Sequence, residues 1–150
     1  MAATVPAKLP EDVPIAIVPE TEARLGALEA RLGELSNLMV AYSGGVDSAF
    51  LAGTAHRVLG DRMLAVLADS ASLARRDMEQ AMEFARAVGM PLRVIETAEL
   101  DKADYQRNDA NRCFHCKTEL FAGMEALGRE LGFEHIAEAR VRRVIVGVQA

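Results

Sequence analysis

Residues 38 to 59 constrain the fold of this 150-residue chain more than any other stretch. An apolar run, Leu38 to Tyr42, leads into Ser43, Gly44, Gly45, Val46, Asp47 and Ser48, and a helix-like run, Ala49 to Leu59, follows. A strand that ends in two glycines and re-enters as a helix leaves backbone N–H groups pointing outward, and such groups bind anions. Gly44 and Gly45 can take positive φ and admit a ligand close to the backbone, while Ser43 and Ser48 add hydroxyl donors near the helix start. Asp47 is the odd member. A carboxylate beside a polyphosphate repels it unless a cation intervenes, so Asp47 reads as a Mg²⁺ ligand or as an N-terminal cap that complements the helix dipole. The lysine of a Walker A loop is absent, and so is the GxGxxG dinucleotide pattern.

The flanking sequence extends this strand-loop-helix unit into a layered fold. Leu25, Leu28, Leu32 and Leu35 recur at helical spacing from Glu20 onward, with Glu22, Arg24, Glu29 and Arg31 on the other side. That stripe covers the domain's own core or, alternatively, a dimer surface. After the helix up to Leu59, which Gly60 stops, Met63 to Ala68 is a second buried strand. Leu73 to Val88 is a further amphipathic helix ended by Gly89, and Leu92 to Ile95 is a third strand after Pro91. The order βαβαβ, with strands apolar throughout, predicts an α/β, Rossmann-like parallel sheet with helices on both faces and right-handed crossovers. Residues 1 to 19 hold four of the five prolines and no sustained period, so they read as a mobile N-terminal leader, with Ile15 to Val18 a potential edge strand. Residues 20 to 150 then form one domain.

In a parallel sheet the ligand sits at the carboxyl ends of the strands. The second strand is followed there by Asp69, Ser70, Ala71 and Ser72, and backbone groups from Ala68 to Ser70 suit an adenine and ribose. Asp69 or Ser70 serves equally well as a cap for the helix near Leu73. Arg75 and Arg76 lie in that helix's first turn, where cations oppose the dipole, so they are candidates for an anionic substrate as well as for a solvated face.

Cys113 and Cys116, within Asn111 to Phe121, have the spacing of a metal half-site near a helix start, where the dipole, Arg112 and Lys117 favour thiolates. A zinc site would need His115, His135 or another chain. Two small core cysteines, or a redox pair, are the other readings. The formal charge of −5 argues against a broad nucleic-acid surface. No apolar run approaches the roughly 18 residues that span a bilayer, and no signal core is present, so a cytoplasmic protein is expected.

The string SGGVDS after an apolar strand resembles the PP-loop of the ATP pyrophosphatase superfamily, whose members cleave ATP between its α- and β-phosphates. With ADSASLARRDMEQA and NRCFHCKTELF, the resemblance narrows to the LarE family of ATP-dependent sulfur transferases, over about Glu20 to His135. The resemblance implies that Ser43, Gly44, Gly45, Asp47 and Ser48 bind the pyrophosphate part of ATP with Mg²⁺. It further implies adenylation of a carboxylate of a pyridinium dicarboxylate mononucleotide, then sulfur transfer, toward a nickel-pincer cofactor. Cys113 and Cys116 match the CxxC of members that carry sulfur on a 4Fe-4S cluster, and a homo-oligomer is implied as well.

Past Ile136 the sequence leaves that pattern. The Asp-Gly-Thr-Asn type motif and the region of a third cysteine are absent, and residues 137 to 150 form an atypical tail, as a gene fragment or a frameshift would produce. Arg140, Arg142 and Arg143 read as a phosphate clamp, an edge strand or a basic tail. Other functions compatible with the loop are a tRNA-thiolating enzyme, an amide-forming enzyme, and a non-catalytic ATP-binding module.

Overall fold

The computed structural model describes residues 18–71, 73–97, 112–140 and 143–148. The leader reading of residues 1 to 17 therefore lies outside the described residues, as do Ser72, Asn111 and Arg142. Helix α1 spans Pro19–Gly33. Proline at its first position sacrifices no hydrogen bond, and Glu20 and Glu22 in the first turn, with Arg31 in the last, follow the dipole. Leu32 is fully buried and Leu28 and Leu35 pack against the same core, so the leucine stripe covers the domain itself.

Strand β1 spans Leu38–Ala41, α2 Val46–Leu59 and β2 Met63–Asp69, with one 3-10 turn, Gly60–Arg62, between the last two. Helix α3 follows at Arg75–Ala87, β3 at Leu92–Glu96 and α4 at Arg112–Leu131. Strands β4, His135–Arg140, and β5, Arg143–Val148, complete the fold. The sheet order is β3-β2-β1-β4-β5. Strand β1 lies parallel to β2, with Leu38 opposite Met63, and parallel to β4, with Met39 opposite Ile136. Strand β3 is parallel to β2, and β5 runs antiparallel at the edge beyond β4.

The apolar runs lack a period of two because both faces are covered. Leu38 and Val40 enter one core with Leu51, Ala55, Ala81 and Ala85, whereas Met39 between them enters a second core with Val66, Met124 and Ile136. Helices α1, α2 and α3 thus cover one face and α4 the other, as the β-α-β crossovers require.

Several boundaries differ from the sequence reading. Helix α2 starts at Val46 rather than Ala49, which places Asp47 and Ser48 inside its first turn. Helix α3 starts at Arg75 rather than Leu73, with Ala74 as its cap residue. Past Ile136, where the sequence leaves the family pattern, β4 continues to Arg140, and much of the atypical tail is its antiparallel partner β5. Arg140 ends β4 and Arg143 begins the edge strand β5, as the edge-strand reading of the tail's arginines expects at backbone level.

Candidate functional site

The chain visits β1, β2 and β3 in one direction across the sheet and then returns to lay β4 on the other side of β1. The carboxyl end of β1 is therefore the switch point, where a parallel sheet opens a crevice. Residues 43 to 48 sit there. Gly44 has φ +82°, and Gly45, the cap residue of α2, has an ordinary φ of −68°. Of the two glycines, only Gly44 needs its conformational freedom. Among the described residues, the N–H groups of Gly44, Val46, Asp47 and Ser48 have no acceptor, so four donors remain for a ligand.

The two serines do different work. The Ser48 hydroxyl is buried within the loop, where it accepts from the Ser43 N–H at 3.1 Å and donates to the Gly45 carbonyl at 3.2 Å. A buried hydroxyl must find partners inside, so Ser48 braces the loop rather than offering a free donor. The Ser43 Oγ lies 3.1 Å from that of Ser48 and stays exposed. Asp47, in the first turn of α2, makes no cap hydrogen bond. The capping alternative for it is thereby corrected: the cap position is Gly45, and Asp47 already lies inside the first turn. Its exposed carboxylate, unpaired among the described residues beside four open amides, suits an oxygen-seeking divalent cation.

Helix α3 forms one wall of the loop. A β-carbon added at Gly44 would lie 2.7 Å from the Cβ of Ala81 and 3.3 Å from its Cα. The Tyr42 hydroxyl donates to the Ala81 carbonyl at 2.8 Å, and burial raises the Tyr42 pKa above its usual value. Neither Tyr42 nor Ala81 stood out as a site residue in the sequence. Tyr42 offered one usable signal, a polar tip ending an apolar strand.

At the end of β2 the odd-numbered residues bond toward β3, as Ala65 N–H does to the Pro91 carbonyl at 2.9 Å. The even-numbered residues face β1, whose last bond joins Tyr42 N–H to the Val66 carbonyl at 2.9 Å. Ala68 therefore presents backbone groups where β1 has ended. Asp69 does not cap α3. Arg75 grips its carboxylate through both terminal nitrogens and holds it below the usual carboxylate range. Ser70 is buried and does not cap α3 either. Arg76 is exposed and forms no ion pair among the described residues.

Helix α4 connects β3 to β4 and runs against the strands, so its first turns, with Cys113 and Cys116, lie at the carboxyl end of the sheet. Their side chains lie outside the described residues. His135 begins β4 at the opposite end, with its Nδ1 3.1 Å from the Asn37 carbonyl, so it does not complete a site with those cysteines. Among the described residues no three His, Cys, Asp or Glu side chains group to hold a metal. The chain's two cysteines alone do not complete an iron-sulfur site. At backbone level Arg140 and Arg143 also lie at the carboxyl end, beyond β1.

Residues 28–126 match the family model of NAD synthase. The chain belongs to that family. It is 36% identical over 117 residues to the uncharacterized protein slr1717 of Synechocystis sp., a match covering 78% of this chain and 44% of the relative. It is 30% identical over 73 residues to a glutamine-hydrolyzing GMP synthase of Chlamydia caviae, covering 49% of this chain and 14% of that protein. The chain thus spans less than half the length of the curated relatives it matches. The fold resembles the NH3-dependent NAD synthetase of Campylobacter jejuni, with a TM-score of 0.56 and 16% identity over 78% of this chain and 52% of that one. It also resembles the NMN synthetase of Francisella tularensis, with a TM-score of 0.58 and 16% identity over 77% and 52% of the two chains. The membership agrees with the superfamily expected from SGGVDS. The relatives named by activity are synthetases rather than sulfur transferases. Among the described residues no helix is long and apolar enough to cross a membrane.

Proposed function

We propose that this chain carries the ATP-binding site of a PP-loop enzyme that adenylates a carboxylate on a small nucleotide-like substrate. The supporting observation is the row of four open amides at Gly44, Val46, Asp47 and Ser48, at the switch point of a parallel sheet. Those amides donate to a pyrophosphate group, with the exposed Ser43 bordering it. Asp47 would hold Mg²⁺, which supplies charge neutralisation at the phosphates. The open backbone at Ala68, together with Asp69 and Ser70, borders the adenine and ribose, and Arg75 and Arg76 flank the anionic groups.

A carboxylate is a poor electrophile. When its oxygen attacks the α-phosphorus, the bond to the β-phosphate oxygen breaks and pyrophosphate departs, leaving an acyl adenylate. A nucleophile then adds to the carbonyl carbon, and AMP leaves. The protein aligns the carboxylate with the α-phosphate and stabilises the leaving pyrophosphate, and the attacking carboxylate needs no general base.

Cys113 and Cys116, at the same end of the sheet as the loop, favour sulfur as that nucleophile, as in LarE-type transfer to a pyridinium dicarboxylate mononucleotide. Ammonia is the second reading, supported by the NH3 dependence of the Campylobacter jejuni NAD synthetase that the fold resembles.

The deciding experiment incubates the chain with ATP, Mg²⁺ and the pyridinium dicarboxylate mononucleotide, with sulfide or ammonia supplied, and follows pyrophosphate, AMP and the product. Substrate-dependent pyrophosphate release is expected, and sulfur or nitrogen in the product identifies the nucleophile. A folded sample that binds no ATP sinks the reading.

A further inference from the structure

The Asp69–Arg75 pair lies at the carboxyl end of the sheet, the same end as the loop. Helix α3 runs against the strands and touches Gly44 at Ala81, six positions after Arg75. At 1.5 Å of rise per residue, the start of α3 therefore overhangs Gly44 by about 9 Å. Arg75 projects from that overhanging turn with its side chain 64% exposed, whereas Asp69 at the end of β2 is 25% exposed. A cation at a helix N-terminus opposes the dipole, and here Asp69 offsets that cost with two hydrogen bonds. The Arg75 guanidinium is thus held, still largely in water, at the same end of the sheet as the row of open amides.

An ion pair this exposed contributes little net stability, so a competing anion of higher charge displaces the carboxylate readily. A polyphosphate on the loop is such an anion, and a planar guanidinium pairs with phosphate in the same two-pronged manner as with carboxylate. We propose that Asp69 holds Arg75 in reserve and releases it to the nucleotide's departing pyrophosphate group, so that the pair acts as a latch setting affinity for polyphosphate. The inference rests on the reading of the loop as an ATP site and adds a positioning residue, Asp69, to it. Release also frees the Asp69 carboxylate, beside Ala68, to accept from a ribose hydroxyl.

The test titrates the full chain with inorganic pyrophosphate, with AMP as a second probe, both in Mg²⁺, by calorimetry. Arg75→Ala should weaken pyrophosphate binding about 10- to 100-fold, the range of a charge-assisted hydrogen bond, and leave AMP binding nearly unchanged. Asp69→Asn, which removes the competing charge but keeps the shape, should tighten pyrophosphate binding. Identical pyrophosphate isotherms for wild type, Arg75→Ala and Asp69→Asn overturn the latch, and so does weaker binding by Asp69→Asn. If Arg75→Ala does not fold, Arg75→Lys replaces it: affinity lower than wild type supports the two-pronged contact, and equal affinity overturns it. Wild-type protein that binds ATP but shows no such pattern loses only the latch. Wild-type protein that binds neither ATP nor pyrophosphate loses the site as well.

Discussion

Gly44 and Ala81 meet with no room for a methyl group between them: a β-carbon at position 44 would come within 2.7 Å of the Ala81 Cβ. Gly44 also sits at φ +82°, a region that side chains avoid. Gly44→Ala therefore meets two penalties, backbone strain and overpacking, which together cost roughly 1–3 kcal/mol or more. Thermal unfolding of the variant should show the loss, and an ATP titration should show weakened binding because the neighbouring amides turn away from their common direction. Adding Ala81→Gly should recover only part of the stability, since it removes the Cβ contact but leaves the Ala81 Cα 3.3 Å away and the φ unchanged. A Gly44→Ala protein with wild-type melting temperature and ATP affinity would contradict this account.

Tyr42→Phe removes a hydrogen bond to the Ala81 carbonyl, worth about 0.5–1.5 kcal/mol, while keeping the ring against Phe84. Burial raises the Tyr42 pKa above 10.0, so the folded state holds the phenol proton more tightly than the unfolded state does. The stability linked to this proton is therefore full below about pH 10 and is lost as pH rises through the folded-state value. Urea midpoints measured from pH 7 upward should show wild type ahead of Tyr42→Phe at neutral pH, with the gap closing in the alkaline range. A constant gap would mean that Tyr42 does not titrate with unfolding.

The strand order and the position of the loop were legible because each strand is buried on both faces. Leu38, Met39 and Val40 all read as apolar although they enter two different cores. Gly60 and Gly89 marked helix ends for a similar reason, since positive φ, +58° and +69° here, selects glycine locally. The start of α2 was not legible: Val46, Asp47 and Ser48 are helical through contacts with the preceding loop rather than through a core-facing period. Asp69 misled in a different way, because a short acidic residue before a helix has the local chemistry of a cap, and the Arg75 side chain takes its carboxylate instead. Ala81 carried no sign at all. A small residue on a helix is ordinary, and its role arises only when the loop of another strand is laid on it.

Asp47→Ala separates the cation's share of binding from that of the amides. The carboxylate lies in the first turn of α2, where it complements the dipole by about 0.3–1 kcal/mol, so a small loss of stability is expected. The larger effect should fall on nucleotide affinity. In the wild type ATP should bind more tightly with Mg²⁺ than with EDTA, and in the variant the two titrations should converge. A variant that keeps the full Mg²⁺ dependence would show that another group holds the cation.

Gly53 lies in the middle of α2, and a β-carbon there would meet nothing within 4 Å. Its backbone is helical, so alanine fits without strain and reduces the freedom of the unfolded chain. Gly53→Ala should stabilise the protein by about 0.4–1 kcal/mol, a rise of a few degrees in melting temperature for a chain of this size. The residue also lines a cleft of about 260 Å³ with Leu25, Ala49, Phe50, Thr54, Arg57 and Phe84, none of them a loop residue. ATP titrations of the variant should therefore overlay those of the wild type. Higher stability with unchanged nucleotide affinity would separate this flank of α2 from the phosphate loop at its start. Weakened ATP binding would mean that packing along α2 reaches the loop, against the local bracing by Ser43 and Ser48.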